Sequence, residues 1–227
     1  MFKDRSEAGR ALAHSLQQLR DRAPVIVALP RGGVPVGFEV ALALDAPLDV
    51  VVARKLGAPG HPEYGIGAVA EGGALYLDTA AIARLGVTPE HLQTVVRQES
   101  AELLRRVRAY RGDHPPVDIA GRTVIVVDDG MATGVTVRAA IRSLRARGPR
   151  TVVIAAPVCA AESARELLSE VDAIVCAHSP EDFLAVSSWY GDFAQTTDDE
   201  VRAILALTRR DANGSPSARP PRTDSPR

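Results

Sequence analysis

The residues best suited to chemistry in this chain stand together at Val124-Ile125-Val126-Val127-Asp128-Asp129-Gly130-Met131-Ala132-Thr133-Gly134-Val135-Thr136. Four apolar residues end in two adjacent carboxylates, and a turn of small residues follows before a helical pattern begins. Such a turn leaves backbone N–H groups open and feeds a helix start, whose dipole favours an anion. Thr133 and Thr136 add hydroxyl donors. The stretch from Gly130 through Met131, Ala132 and Gly134 to Val135 and Thr136 therefore reads as a phosphate cradle. Asp128 and Asp129 would repel a phosphate, but they accept hydrogen bonds from sugar hydroxyls. Cradle and acids together describe a site for a ribose 5-phosphate. It is not a Walker loop, because no Gly-Lys-Ser/Thr follows the glycine. Two other readings are a tight strand–helix turn with a solvated acidic pair, and an aspartyl-phosphate receiver. The receiver carries its acids on the first strand of a shorter chain, whereas roughly 120 residues and two strand patterns precede them here.

A second glycine turn, Leu29-Pro30-Arg31-Gly32-Gly33-Val34, again joins a strand pattern to a helical one. Its glycines permit positive φ and let an anion approach the backbone. Arg31 brings a forked cation matched to phosphate oxygens, or else is a surface arginine on a plain turn. Arg54 and Lys55 end the apolar run that starts at Leu48, so they are expected at the same rim as the other strand ends. Surface ion pairs are the competing role for both.

Positioning these groups requires a layered α/β scaffold. Residues 4–20 read as an amphipathic helix, 25–29 as a buried strand, 34–44 as a helix and 48–53 as a second strand. Six glycines between 57 and 73 suggest a loop and a short hairpin, with strands at 66–70 and 74–77. Thr88 as N-cap and Pro89 behind it open a long helix over 88–111. After His114-Pro115-Pro116 come strand 123–127, helix 135–147, strand 151–156, helix 161–170, strand 173–177 and a last helix over 198–208. Alternating strands and helices imply α/β class: a central, mainly parallel sheet of about five strands flanked by helices. One unit is expected over 1–210, with a small hood from the chain ends near 178–196. The tail 211–227, rich in proline and serine, is expected to be disordered.

Of 227 residues, 46% are hydrophobic, enough for a core without metal or disulfide staples. A net charge of −1 argues against nucleic acid as a partner. The longest uncharged apolar run, Val152 to Ala161, is far short of the ~20 residues of a membrane span. The N-terminus carries charges where a signal peptide needs apolar residues. These features point to a soluble, cytoplasmic protein. Cys159 and Cys176 sit near strand ends and are expected to be buried, unreactive thiols. His14, His91, His114 and His178 show no metal-ligand spacing.

The 124–136 string resembles the signature of the type I phosphoribosyltransferases, which bind 5-phosphoribosyl 1-diphosphate, and the element order is similar over about 1–208. Leu29-Pro30-Arg31-Gly32-Gly33, Arg54-Lys55-Leu56-Gly57-Ala58-Pro59-Gly60 and Trp189-Tyr190-Gly191-Asp192-Phe193 further resemble a group of predicted phosphoribosyltransferases with no settled substrate. The resemblance implies that Asp128 and Asp129 hold the ribose hydroxyls and that the following turn holds the 5-phosphate. It also implies that Pro30, Arg31, Gly32 and Gly33, in a loop that often contains a strained peptide, bind the diphosphate; Arg54 and Lys55, expected at the same rim, would supply further cations to it. Arg31 and Lys55 are then the catalytic cations, aimed at the departing oxygens. Mg²⁺ is the implied cofactor, held mainly through diphosphate and ribose oxygens with no direct protein ligand. The function expected is phosphoribosyl transfer to a small acceptor, a nucleobase first of all; the alternative is a non-catalytic sensor with the same pocket.

The acceptor is the least specified partner. Phe183, Trp189, Tyr190 or Phe193 could stack on a flat base, or could instead glue the final segment to the core. Glu71, beside Gly72-Gly73, is a further candidate for the acceptor side. The glycine-rich stretch 56–67, with His61, is the candidate lid. Exposed apolar surface on the hood or on the 88–111 helix would support a homodimer.

Overall fold

The computed structural model describes residues 1–212. The central sheet contains five strands: β1 (Val25–Ala28), β2 (Leu48–Val50), β6 (Thr123–Val127), β7 (Thr151–Val158) and β8 (Ala173–His178). Their order is β2-β1-β6-β7-β8, and every neighbouring pair is parallel. Strands buried on both faces need apolar residues at every position, and β1 and β6 are buried throughout. Side chains alternate between faces. Ile26, Ala28, Ile125 and Val127 join one core, and Val25, Val27, Val124 and Val126 the other.

The first core is covered by α1 (Arg5–Leu16), α2 (Gly33–Leu44), α4 (Pro89–Arg111) and α7 (Asp198–Ala212), which contribute Leu12, Val40, Leu103 and Val201. The second is covered by α5 (Val135–Arg145) and α6 (Ala161–Leu167), through Ile141, Leu144 and Leu167. Asp4 caps α1 by accepting from the Glu7 amide at 2.8 Å. Thr88 caps α4 through the His91 amide, as the spacing predicts. The tail expected from 211 begins inside α7 by two residues, and its remainder lies outside the described residues.

Three expectations need correction. Arg54 and Lys55 do not end a strand of the central sheet. β2 stops at Val50, and both residues lie on β3 (Ala53–Ala58), in a separate antiparallel sheet with β4 (His61–Ala70) and β5 (Ala74–Leu77). A run of apolar residues hides a change of direction, because periodicity alone does not mark where one strand gives way to another. The 56–67 stretch is accordingly not a loop: it is most of the β3–β4 hairpin, with register shifts at Leu56, Gly57 and Ala58. A short helix, α3 (Thr79–Arg84), capped by Asp78, was not anticipated. Finally, Cys159 and Cys176 are not free thiols but form a disulfide. Cys159 follows directly on β7 and Cys176 lies within the neighbouring parallel strand β8, with Cα atoms 6.1 Å apart, within disulfide reach.

Candidate functional site

The carboxyl ends of β1 and β6 are neighbours, and the two glycine turns leave the sheet side by side. β6 ends at Val127. Asp128 and Asp129 follow beyond the strand, their carboxylates close together, and the Asp129 amide donates to Asp128 Oδ1 at 2.9 Å. Asp128 lines a cavity of ≈ 900 Å³. Gly130, Met131, Ala132, Thr133, Gly134, Val135 and Thr136 line the same cavity, so the structure brings together the whole predicted cradle.

The turn is fixed both by its own backbone and by contacts from distant elements. Met131 is buried; its amide donates to the Val158 carbonyl at 2.9 Å and its carbonyl accepts from Ala160 at 2.8 Å. Gly134 occupies the left-handed region (φ 68°) and caps α5 with no side-chain bond, leaving the first-turn amides of α5 without a cap from that residue. A left-handed backbone there suits glycine alone at low cost. Arg138, buried on α5, fixes the far wall by donating to Glu170 at 2.7 Å and Glu166 at 3.2 Å. Its guanidinium lies 5.4 Å from the Tyr76 ring centre.

Burial and the neighbouring Asp129 carboxylate push Asp128 well above the usual carboxylate range. Burial pushes Asp129 up as well, while Arg5 pulls it back. Arg5 Nε donates to Asp129 Oδ2 at 2.8 Å. Asp129 is thus held by Arg5 of α1 beside Gly32 and Asp128, next to the cavity lining and not part of it. The Tyr190 hydroxyl donates to the Asp129 carbonyl at 2.5 Å, and burial raises that phenol so that it remains a donor.

The loop Pro30-Arg31-Gly32-Gly33 differs from expectation in what its glycines do. Neither has positive φ; Gly32 is helical at φ −61° and precedes α2. Instead, a Cβ on Gly33 would lie 2.6 Å from the Val127 carbonyl oxygen, so the turn is glycine because β6 passes too close for anything larger. The peptide between Pro30 and Arg31 is cis. The Arg31 guanidinium faces Asp198 at 3.6 Å, on the first residue of α7. Asp198 also accepts from the Tyr110 hydroxyl at 2.6 Å.

Of the other predicted cations, Lys55 lines the cavity from β3, whereas Arg54 donates to Glu99 of α4 at 2.7 Å. Phe183, Trp189 and Tyr190 do not line the cavity. Trp189 stacks on His178 (5.2 Å), and Tyr190 packs against Phe2 (5.8 Å) and Phe193 (4.9 Å). Glu71 is occupied structurally: it accepts from the Val52 amide at 2.7 Å and pairs with Arg111 at 2.7 Å. His61 lies on the hairpin beside a separate groove.

Tyr64, Tyr76, Asp78, Arg84, Glu162 and Glu166 also line the cavity and were missed by sequence reasoning. They come from the small sheet, α3 and α6, and no local motif ties them to residues 128–136.

A parallel sheet covered on both faces, with an acidic strand end and a helix start lining a cavity at its carboxyl edge, defines an α/β protein with a pocket where such folds place their ligands. The model of the phosphoribosyl transferase domain matches residues 2–190, and the chain belongs to that family. Two Mycobacterium tuberculosis proteins provisionally named phosphoribosyl transferases, MT0597 and Rv0571c, are each 42% identical to it over 211 residues. The match covers 93% of this chain and 48% of each relative, so the chain spans about half their length. The crystal structure of TT1426 from Thermus thermophilus is 42% identical, with a TM-score of 0.76, over 91% of this chain and 98% of that one. Among the described residues, no helix is long and apolar enough to cross a membrane.

Proposed function

We propose that the chain transfers a phosphoribosyl group from 5-phosphoribosyl 1-diphosphate to a small acceptor, a nucleobase first of all, in a Mg²⁺-dependent reaction that releases diphosphate. One observation carries this reading: the 130–136 turn opens the α5 start onto a cavity that Asp128 and Lys55 also line. Backbone N–H groups at that helix start suit the 5-phosphate. Asp128 and Asp129 accept from the ribose hydroxyls. Pro30, Arg31, Gly32 and Gly33, with Arg54 and Lys55, receive the diphosphate.

In the reaction, the bond from the anomeric carbon to the diphosphate oxygen breaks, and the electron pair leaves with diphosphate. A lone pair of the acceptor nitrogen forms the new bond, and the proton on that nitrogen passes to solvent. Positioning and fixed charge supply the rate, with no protein nucleophile. The cation is expected to be held mainly through diphosphate, ribose and water oxygens. When bound, Mg²⁺ supplies neutralisation of the charge that develops on those oxygens. Leu104 on α4 and Leu184 near the chain end are the exposed apolar positions on which a homodimer would rest.

A second reading, a non-catalytic sensor of the same diphosphosugar or of a nucleotide, is favoured by one feature: Arg31 faces Asp198 and Arg54 faces Glu99. Incubation with labelled 5-phosphoribosyl 1-diphosphate, Mg²⁺ and a panel of purines, pyrimidines and small amines separates the two. Diphosphate release with one acceptor supports transfer, and binding without release with any acceptor supports sensing. Asp128→Asn combined with Asp129→Asn should abolish binding with the fold intact; unchanged affinity would remove the site assignment.

A further inference from the structure

The Trp189-Tyr190-Gly191-Asp192-Phe193 stretch and the N-terminal residues are not needed by the cavity, yet they form a connected device that ends on Asp129. The chain start pairs with this stretch like a short parallel strand. The Phe2 amide donates to the Trp189 carbonyl, the Gly191 amide to the Phe2 carbonyl and the Asp192 amide to the Lys3 carbonyl, each at 2.8 Å. This places Arg5, the first helical residue behind the Asp4 cap, over the Phe193 ring with its guanidinium carbon 4.0 Å from the centroid. A third anchor is the Ala194 carbonyl, which accepts from Arg5 at 2.7 Å. Held on three sides, Arg5 grips Asp129 Oδ2 through two nitrogens, each at 2.8 Å.

The two side chains are only 12% and 15% exposed, so this is not a solvent-screened surface pair. On the far side, the same carboxylate is pressed against Gly32, where a Cβ would lie 1.9 Å from Oδ2. Asp129 therefore sits at the junction of the 30–33 and 128–136 turns.

We propose that Arg5 is a positioning residue for the sugar site: braced by Phe193 and Ala194, it holds the Asp129 carboxylate against Gly32 between the two turns. The Trp189–Phe193 segment then serves sugar recognition and not acceptor stacking. Arg5 also offsets part of the effect of burial on Asp129. This inference rests on the reading of Asp129 as a ribose-hydroxyl acceptor.

The test is Arg5→Met in the full chain, with calorimetric binding of 5-phosphoribosyl 1-diphosphate in Mg²⁺ and, separately, of inorganic phosphate as a probe of the cradle. The expected result is about tenfold weaker binding of the diphosphosugar, the scale of one charged hydrogen bond, with phosphate binding unchanged. Equal weakening of both ligands, or of neither, overturns the inference while leaving the site reading in place. A wild-type protein that binds phosphate but not the diphosphosugar overturns the site reading itself. Should Arg5→Met fail to fold, Arg5→Lys keeps the charge without the two-nitrogen grip. It is expected to weaken the diphosphosugar several-fold, and an affinity equal to wild type would overturn the inference.

Discussion

Gly32 and Asp129 touch: the Cα of the one leaves no room for a Cβ, which would stand 1.9 Å from Oδ2 of the other. Two turns from different strands are thereby locked into one rim. Arg5 holds the carboxylate from behind, so it cannot swing away cheaply.

Gly32→Ala is accordingly expected to cost more than its size suggests. The added methyl must displace Asp129 from Arg5, an overpacking cost of about 1–3 kcal/mol. Urea unfolding reads that loss, and calorimetry with 5-phosphoribosyl 1-diphosphate reads a larger proportional loss of affinity. Wild-type behaviour in both would show that the contact yields freely.

Asp128 makes stability depend on pH with a definite sign. Its carboxyl titrates well above the ordinary range, chiefly through burial. Between the ordinary value near ~4 and that raised value, the folded state binds more protons than the unfolded one, so stability falls as pH rises. Asp128→Asn removes the buried charge. The variant should be more stable than wild type near pH ~8, with the difference vanishing near pH ~4. Denaturant titrations at the two pH values check this, and ligand binding should be lost at both.

The ion cluster under β2 is structural. Asp49 and Arg111 are each 6% exposed; Arg111 donates to the Val50 carbonyl at 2.7 Å and to Glu71 at 2.7 Å. Arg111→Met leaves two carboxylates without their cation and should destabilise the chain by roughly 3–5 kcal/mol. A loss under ~1 kcal/mol by chemical denaturation would mean the pair is screened by water.

The Cys159–Cys176 bridge closes a segment with a sequence separation of 17. Chain-entropy reasoning gives a stabilisation of roughly 3 kcal/mol for such a loop. Cys176→Ser, or reduction of the wild type, should lower the melting temperature by a matching amount. An unchanged midpoint would show that the bond adds nothing to the folded state.

Much of the scaffold was readable along the chain. Val25–Ala28 and residues 124–127 are short apolar runs followed by Pro30 and by Asp128, and a strand buried on both faces admits little else. Thr88 and Pro89 announced their helix because cap chemistry is local. The 130–136 turn was legible as a strand–helix turn because Gly134 and the α5 start are set locally, although Met131 is pinned by Val158 and Ala160 from β7 and the segment behind it.

What the chain could not disclose alone is which distant side chains meet. Arg5 and Asp129 stand 124 positions apart, and Arg31 and Asp198 still farther. Those pairings arise only when α1 and α7 dock on the same face of the sheet. The Val50–Ala53 break, which moves Arg54 and Lys55 to a second sheet, was hidden because an apolar run has no period to mark a change of partner. The two cysteines meet for a similar reason: Cys176, paired with Ala156 in the sheet, is reached by Cys159 just past the end of β7, and that closeness depends on how β7 and β8 dock. Local sequence thus determined most strands, the caps and the glycine turn after β6, while the packing of layers decided which charges face the cavity and which face one another.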